Sequence, residues 1–178
     1  MKILKSVPLL LFVLITILLW RGLSLHPTEI PSPLINKAVP VFSLPSLMDG
    51  KKLVTNKDFL GHITLLNVWA TWCYACADEH ALIMQLAQNE HVVFYGLNYK
   101  DDNNAAKKWL SDNGNPYSLI AVDQEGHAAI DWGVYGTPET FVIDKKGIIR
   151  FKLIGPITEN TWAKTLKPLI EKLRSETT

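Results

Sequence analysis

Residues 65–80 read LLNVWATWCYACADEH, and the order of features in that stretch decides the fold. Its first half belongs to a near-continuous apolar run, ITLLNVWA from Ile63 to Ala70, the pattern of a central strand buried on both faces. Cys73 and Cys76 follow directly, two residues apart. From Cys76 to Asn89 the apolar residues Leu82, Leu86 and Ala87, with Met84 less regularly placed, mark a helix, and Asp78 and Glu79 are expected in its first turn. Cys73 therefore stands where a buried strand gives way to a helix. A helix amino terminus carries about half a positive charge and unpaired N–H groups. A thiolate is stabilised there, and the thiolate is the nucleophile of disulfide exchange. Cys76, one turn on, is placed to displace whatever becomes bonded to Cys73.

Two other readings compete. Free cysteines are often simply buried, but these are the only two in 178 residues, so cysteine is not used elsewhere as core filler. A zinc site needs more ligands. His80 follows Cys76 by four residues and His62 precedes the strand, yet no second pair has finger spacing. Covalent haem attachment would need His at position 77, which is Ala77. As a staple, a Cys73–Cys76 bridge would close a two-residue loop and constrain the unfolded chain little. The pair points to chemistry, with no metal and no cofactor.

The amino terminus sets the compartment. Lys2 and Lys5 precede an uncharged run from Ser6 to Trp20, closed by Arg21. The run is slightly short of the roughly 20 apolar residues that span a bilayer. Lys5 and Arg21 can snorkel and Trp20 suits an interface, so residues 1–24 are expected to form an uncleaved signal-anchor helix. A cleaved signal, with Gly22 and Ser24 as its small residues, and a core helix are the alternatives. Either export reading places the rest of the chain outside the cytoplasm. Residues 25–39 lie in a stretch, LHPTEIPSPLINKAVP, with four prolines and no helical period, and read as a tether. Residues 40–178 are the size of one domain. A net charge of +1 without a basic run gives no footprint for nucleic acid.

Along that domain, VFSLPSLMDGKKLVT reads as a hairpin turning at Asp49-Gly50. VVFYGLNY and YSLIAVD read as strands, NNAAKKWLSDNG and EGHAAIDWG as short helices, and TFVID-KKG-IIRFKLIG as a second hairpin. TENTWAKTLKPLIEKLR is a final helix, capped by Thr158 and kinked by Pro168. Strands alternating with helices predict an α/β fold, with a mixed, mostly parallel sheet and helices on both faces.

NVWATWCYACADEH resembles the active-site strand and helix of the thioredoxin superfamily. WGVYGTPETFVID (Trp132–Asp144), together with ADEH and the amino-terminal anchor, resembles more narrowly the CcmG/DsbE family of membrane-anchored thiol-disulfide oxidoreductases of cytochrome c maturation. The resemblance covers the whole chain. It implies a thioredoxin-like three-layer fold with an N-terminal hairpin extension, Cys73 as exposed nucleophile and Cys76 as resolving cysteine. It makes Pro138 the cis-proline, with the backbone of Thr137 left free to pair with a substrate strand, and Glu139 an acid near the site. The other reading of Glu139 is a solvated charge at a strand end.

Thioredoxins carry Asp six residues before the first cysteine, and Asn67 stands there. Glu79, three residues after Cys76 on the same helical face, either takes over as proton acceptor for Cys76 or merely stabilises the helix dipole. Trp72 is the expected substrate contact. Trp132 and Tyr135 are expected around the sulfurs, Trp69 in the core, and His62, His91 and His127 on loops or the surface. The family's common Pro after the first cysteine is Tyr74 here, and its basic residue after the second is Ala77. With Asp78 and Glu79 opposing the thiolate, the pair is expected to act as a reductant.

By resemblance the substrate is the haem-binding cysteine pair of apocytochrome c, with cytochrome c maturation proteins as partners. The resemblance also implies a membrane thiol-disulfide transporter as electron source and a catalytic domain in the periplasm on a single-pass bacterial inner-membrane anchor. A general periplasmic reductase and a tethered binding module are the alternatives. A peroxiredoxin would place Thr where Ala70 stands.

Overall fold

A computed structural model of the chain describes residues 2–24 and 32–176. These form two units, divided after Pro31. The first is helix α1 (Lys2–Ser24), with Pro8 inside it and Leu10, Phe12, Ile17 and Trp20 exposed. Among the described residues no helix is long and apolar enough to cross a membrane. Residues 25–31 of the expected tether lie outside the described residues. The rest of the expected tether belongs to the second unit, which begins at Ser32 rather than Pro40. Backbone bonds from Asn36 N to the Ile149 carbonyl (2.7 Å) and from Val39 N to the Gly147 carbonyl (2.9 Å) fix it there, and Val39 is buried.

The second unit opens with the expected hairpin, β1 (Ser43–Pro45) antiparallel to β2 (Leu53–Thr55). Its connection is a seven-residue loop closed by Ser46 N on the Lys52 carbonyl, not a two-residue turn at Asp49-Gly50. Then come β3 (Thr64–Trp69), α2 (Tyr74–Asn89), β4 (Val93–Tyr99), α3 (Asn103–Asn113), β5 (Tyr117–Asp123), α4 (His127–Asp131), β6 (Glu139–Ile143) and β7 (Ile149–Ile154). The chain ends in α5 (Glu159–Thr161), a π-helical turn (Trp162–Leu166) and α6 (Lys167–Ser175).

The main sheet has the order β5-β4-β3-β6-β7. β3 pairs parallel with β4 and β4 with β5, whereas β6 is antiparallel to both β3 and β7. The sheet is therefore mixed but not mostly parallel. The terminal hairpin, joined by a short turn, must run antiparallel, and β6 also lies antiparallel to β3, so two of the four pairings are antiparallel.

Successive strand side chains point to opposite faces, and the two cores follow that parity. Leu65, Phe94, Ile120 and Val142 join Ile83 and Leu86 of α2, Leu110 of α3 and Ile170 of α6. Leu66, Tyr95, Ala121 and Phe141 join Val54, Phe59 and the α4 residues Ala128 and Ala129 on the other side. Every side chain of β3 is buried, which is why its sequence shows no alternation. Each of its large apolar residues contributes about 1.5–3 kcal/mol by leaving water.

Pro168 lies inside the last helical segment, just after a π turn. The π turn before it carries the Lys167 N–H back to the Trp162 carbonyl, and the proline occupies the first turn of α6, where no N–H is needed. Thr158 caps as expected, its Oγ accepting from Thr161 N at 3.1 Å.

Candidate active site

The cysteines sit where the central strand meets α2. Cys73 is the cap residue in extended conformation, and its Sγ accepts the backbone N–H of Cys76 at 3.1 Å. The two are joined as a disulfide. A sulfur at the cap satisfies a helix N–H that a Ser or Asp side chain would otherwise take, so helix geometry and reactive geometry coincide. The resemblance implied an exposed Cys73, but Cys73 and Cys76 are 7% and 5% exposed. In this oxidised state Cys73 is set apart by its place at the cap, not by exposure.

Asp101, a buried residue just after β4, holds the turn before the cysteines. Its carboxylate accepts from Thr71 N (2.7 Å), Thr71 Oγ (2.6 Å) and Asn98 Nδ2 (2.9 Å). Beside it Trp72 is exposed, with its indole N–H on the Lys100 carbonyl at 3.0 Å. Tyr74, between the cysteines, is also exposed, while Trp69 is core as expected and stacks on Tyr117 at 5.5 Å. The Trp132 side chain is not near the surface of the site. It caps α4 and packs edge-on to Phe141, 1% exposed, in the core on the other face.

Asp78 and Glu79 are not in the first turn. The helix begins at Tyr74, so Glu79 lies a turn deeper and points inward, 2% exposed. Its Oε1 accepts from Asn67 Nδ2 at 2.9 Å and its Oε2 from Ile157 N at 2.6 Å. Burial pushes its carboxyl up to about 7, against the pull of the Ile157 N–H and the Asn67 amide. The helix-dipole reading of Glu79 is excluded by this position. His80 faces away, bonded to the Asn113 and Gly114 carbonyls, with burial holding its pKa down.

The Thr137–Pro138 peptide bond is cis. Pro138 is buried and Thr137 half-buried. Glu139 begins β6 and is 1% exposed, which rules out a solvated charge. It pairs with Lys152 Nζ at 2.9 Å and accepts the Tyr135 N–H at 3.0 Å. Lys152 also donates to the Gly133 carbonyl at 2.7 Å and lies 4.0 Å from the exposed Tyr135 ring. One buried ion pair thus ties β7 to both ends of the loop that ends in the cis-proline. Asp101, Tyr117 and Lys152 escaped the reading of the sequence. The pair Asp101-Asp102 ahead of a helix was a usable signal for capping, but it marks only Asp102.

The Redoxin family model matches residues 34–167. The chain is 47% identical over 169 residues to the thiol:disulfide interchange protein DsbE of Pseudomonas aeruginosa, covering 95% of this chain and 93% of that one. It is 45% identical to the DsbE of Escherichia coli K12, with 96% and 95% covered. The fold is similar to a solved putative DsbE of Chlorobium tepidum, with TM-score 0.66, 23% identity, and 78% of this chain and 96% of that one covered. A putative thioredoxin of Neisseria meningitidis gives TM-score 0.67 at 25% identity, with 78% and 91% covered. A Cys-x-x-Cys pair closed as a disulfide at a helix cap, a cis Thr137–Pro138 bond and these relatives agree, and the chain belongs to the DsbE (CcmG) family of thiol:disulfide interchange proteins, thiol-disulfide oxidoreductases with a Redoxin domain.

Proposed function

We propose that the chain works as a membrane-tethered periplasmic reductase of the haem-binding cysteine pair of apocytochrome c. Cys73 thiolate attacks a substrate disulfide, forming a mixed disulfide and releasing one substrate thiolate. Cys76 then attacks Cys73 Sγ, releasing the second substrate thiolate and leaving the Cys73–Cys76 disulfide. Two electrons pass to the substrate. The Cys76 proton goes to Glu79, and a dithiol of a membrane thiol-disulfide transporter restores the pair. The observation that carries this reading is the placement of Glu79: a carboxyl that burial pushes up to about 7, one helical turn from Cys76 on α2. A base of that affinity is matched to proton transfer at neutral pH.

Trp72 and the backbone of Thr137 form the substrate-binding edge in this reading, the exposed indole and half-buried Thr137 being open to a partner strand, with the buried Pro138 and Glu139 supporting that edge from within. The exposed apolar side chains of α1, flanked by Lys2, Lys5 and Arg21, support a signal anchor. Tethering raises the effective concentration at membrane partners. The resemblance supplies the cytochrome substrate.

Substrate trapping tests it. Full-length protein carrying Cys76→Ala, acid-quenched in cells, is expected to accumulate disulfide adducts of c-type apocytochromes or their assembly factors through Cys73. A broad mixture of exported proteins would replace this reading with a general reductase. No adduct, under conditions where a known exchange protein forms one, would contradict both.

A further inference from the structure

Asn67 stands mid-strand in β3 with no solvent exposure, and both ends of its amide are engaged. Its Nδ2 donates to Glu79 Oε1 (2.9 Å) and Thr140 Oγ (3.1 Å), while its Oδ1 accepts the phenol O–H of Tyr117 at 2.8 Å. Tyr117 is on β5, two strands away, and its ring reaches Asn67 across β4 at Gly96, the register partner of Asn67. A Cβ on Gly96 would lie 3.2 Å from the Tyr117 ring and 2.8 Å from Trp69 Nε1. The missing side chain therefore opens the passage, and stacking on Trp69 holds the ring in it.

We propose that Tyr117 is a positioning residue that, through Asn67, holds the Glu79 carboxyl ready to take the proton of Cys76. The inference rests on the proton-acceptor reading of Glu79 given above. An amide has one donor end and one acceptor end. The buried Tyr117 O–H donates to the acceptor end, which turns the donor end to Glu79, and a donor favours the ionised carboxylate. Turned over, Asn67 would present Oδ1, which only a protonated carboxyl satisfies. Tyr117 of β5 is a titratable group within electrostatic reach of Glu79, and Cys76 lies three residues before Glu79 on the same helix. β3 and the segment after β7 contribute the Asn67 amide and the Ile157 N–H, both neutral, while Thr140 of β6 meets Asn67. Burial, with the nearby Glu79 charge, drives the Tyr117 phenol well above its ordinary range, so it remains a donor at neutral pH.

The test is Tyr117→Phe in the full-length protein, which removes one hydroxyl and keeps the ring. Two readouts are followed with pH: the Glu79 carboxyl by carbon-13 NMR, and release of a thiol from a mixed disulfide on Cys73. Both midpoints are expected to rise by about one pH unit, about tenfold in proton affinity. Replacing tyrosine by 3-fluorotyrosine, a stronger donor that keeps the side chain nearly unchanged, is expected to lower both, and this arm stands even if the Phe variant fails to fold. An unmoved Glu79 titration in folded protein would overturn the relay. A moved titration with an unmoved release profile would leave the hold on Glu79 intact and overturn its role as proton acceptor.

Discussion

Glu79 and Glu139 are both carboxylates sealed from solvent, 2% and 1% exposed, yet they are built differently. Glu79 has only neutral partners: an amide and a backbone N–H. Glu139 has a lysine at 2.9 Å, itself buried. Neutral donors offset only part of the cost of burying charge, so Glu79 is left able to exchange a proton near neutrality. An opposite charge matches the carboxylate directly, and Glu139 with Lys152 becomes a fixed post for the Gly133–Pro138 loop. Burial alone does not make an acid reactive; its partners decide.

Breaking the ion pair gives the largest effect. Lys152→Met is expected to cost about 3–5 kcal/mol in urea unfolding, because it strands the Glu139 charge in the interior. Adding Glu139→Gln to that variant is expected to recover part of the loss. A single variant as stable as the parent would contradict the view of this pair as the fixed post.

The second effect depends on pH. The Glu79 carboxyl is raised from 4.5 to about 7 on folding, so the folded state holds a proton that the unfolded state has lost. Its stabilising contribution is complete below about pH 4.5 and is lost as pH rises through 7, about 3 kcal/mol in all. Glu79→Gln is expected to flatten that fall in unfolding free energy between pH 4.5 and 8, at a constant cost of about 1 kcal/mol for the acceptor it lacks. A fall of unchanged size in the variant would show that other groups cause it.

The smallest effect on stability is at the rim. Trp72 is exposed and makes one hydrogen bond, to the Lys100 carbonyl. Trp72→Ala is expected to change stability by about 1 kcal/mol or less, while slowing reduction of a protein disulfide. A variant with unchanged rate would remove Trp72 from the substrate edge.

Much of the fold was legible because it depends on short-range pattern. The apolar run ending at Ala70 could only be a central strand, and two cysteines directly after it fixed the strand-to-helix junction. The start of the helix was less legible. A cysteine at the cap position is not a cap signal, so Asp78 and Glu79 looked like first-turn acids when the helix had begun four residues earlier at Tyr74. The partners of the two glutamates come from afar. Lys152 sits on a strand thirteen residues beyond Glu139, where a lysine ordinarily reads as solvent-facing. Tyr117 reaches Asn67 only because Gly96 is small, which no local period records. Trp132 misled for a related reason: closeness in sequence to the cis-proline loop does not say which face of the sheet a side chain joins.

The most direct test of the contrast between the two acids is a single-turnover measurement. A mixed disulfide is formed on Cys73, and release of the bound thiol by Cys76 is followed from pH 5 to 9 in the parent and in Glu79→Gln. Glu79 as proton acceptor predicts a rate in the parent that rises through an inflection near pH 7 and a variant that lacks this inflection. The same inflection in both proteins would contradict that role.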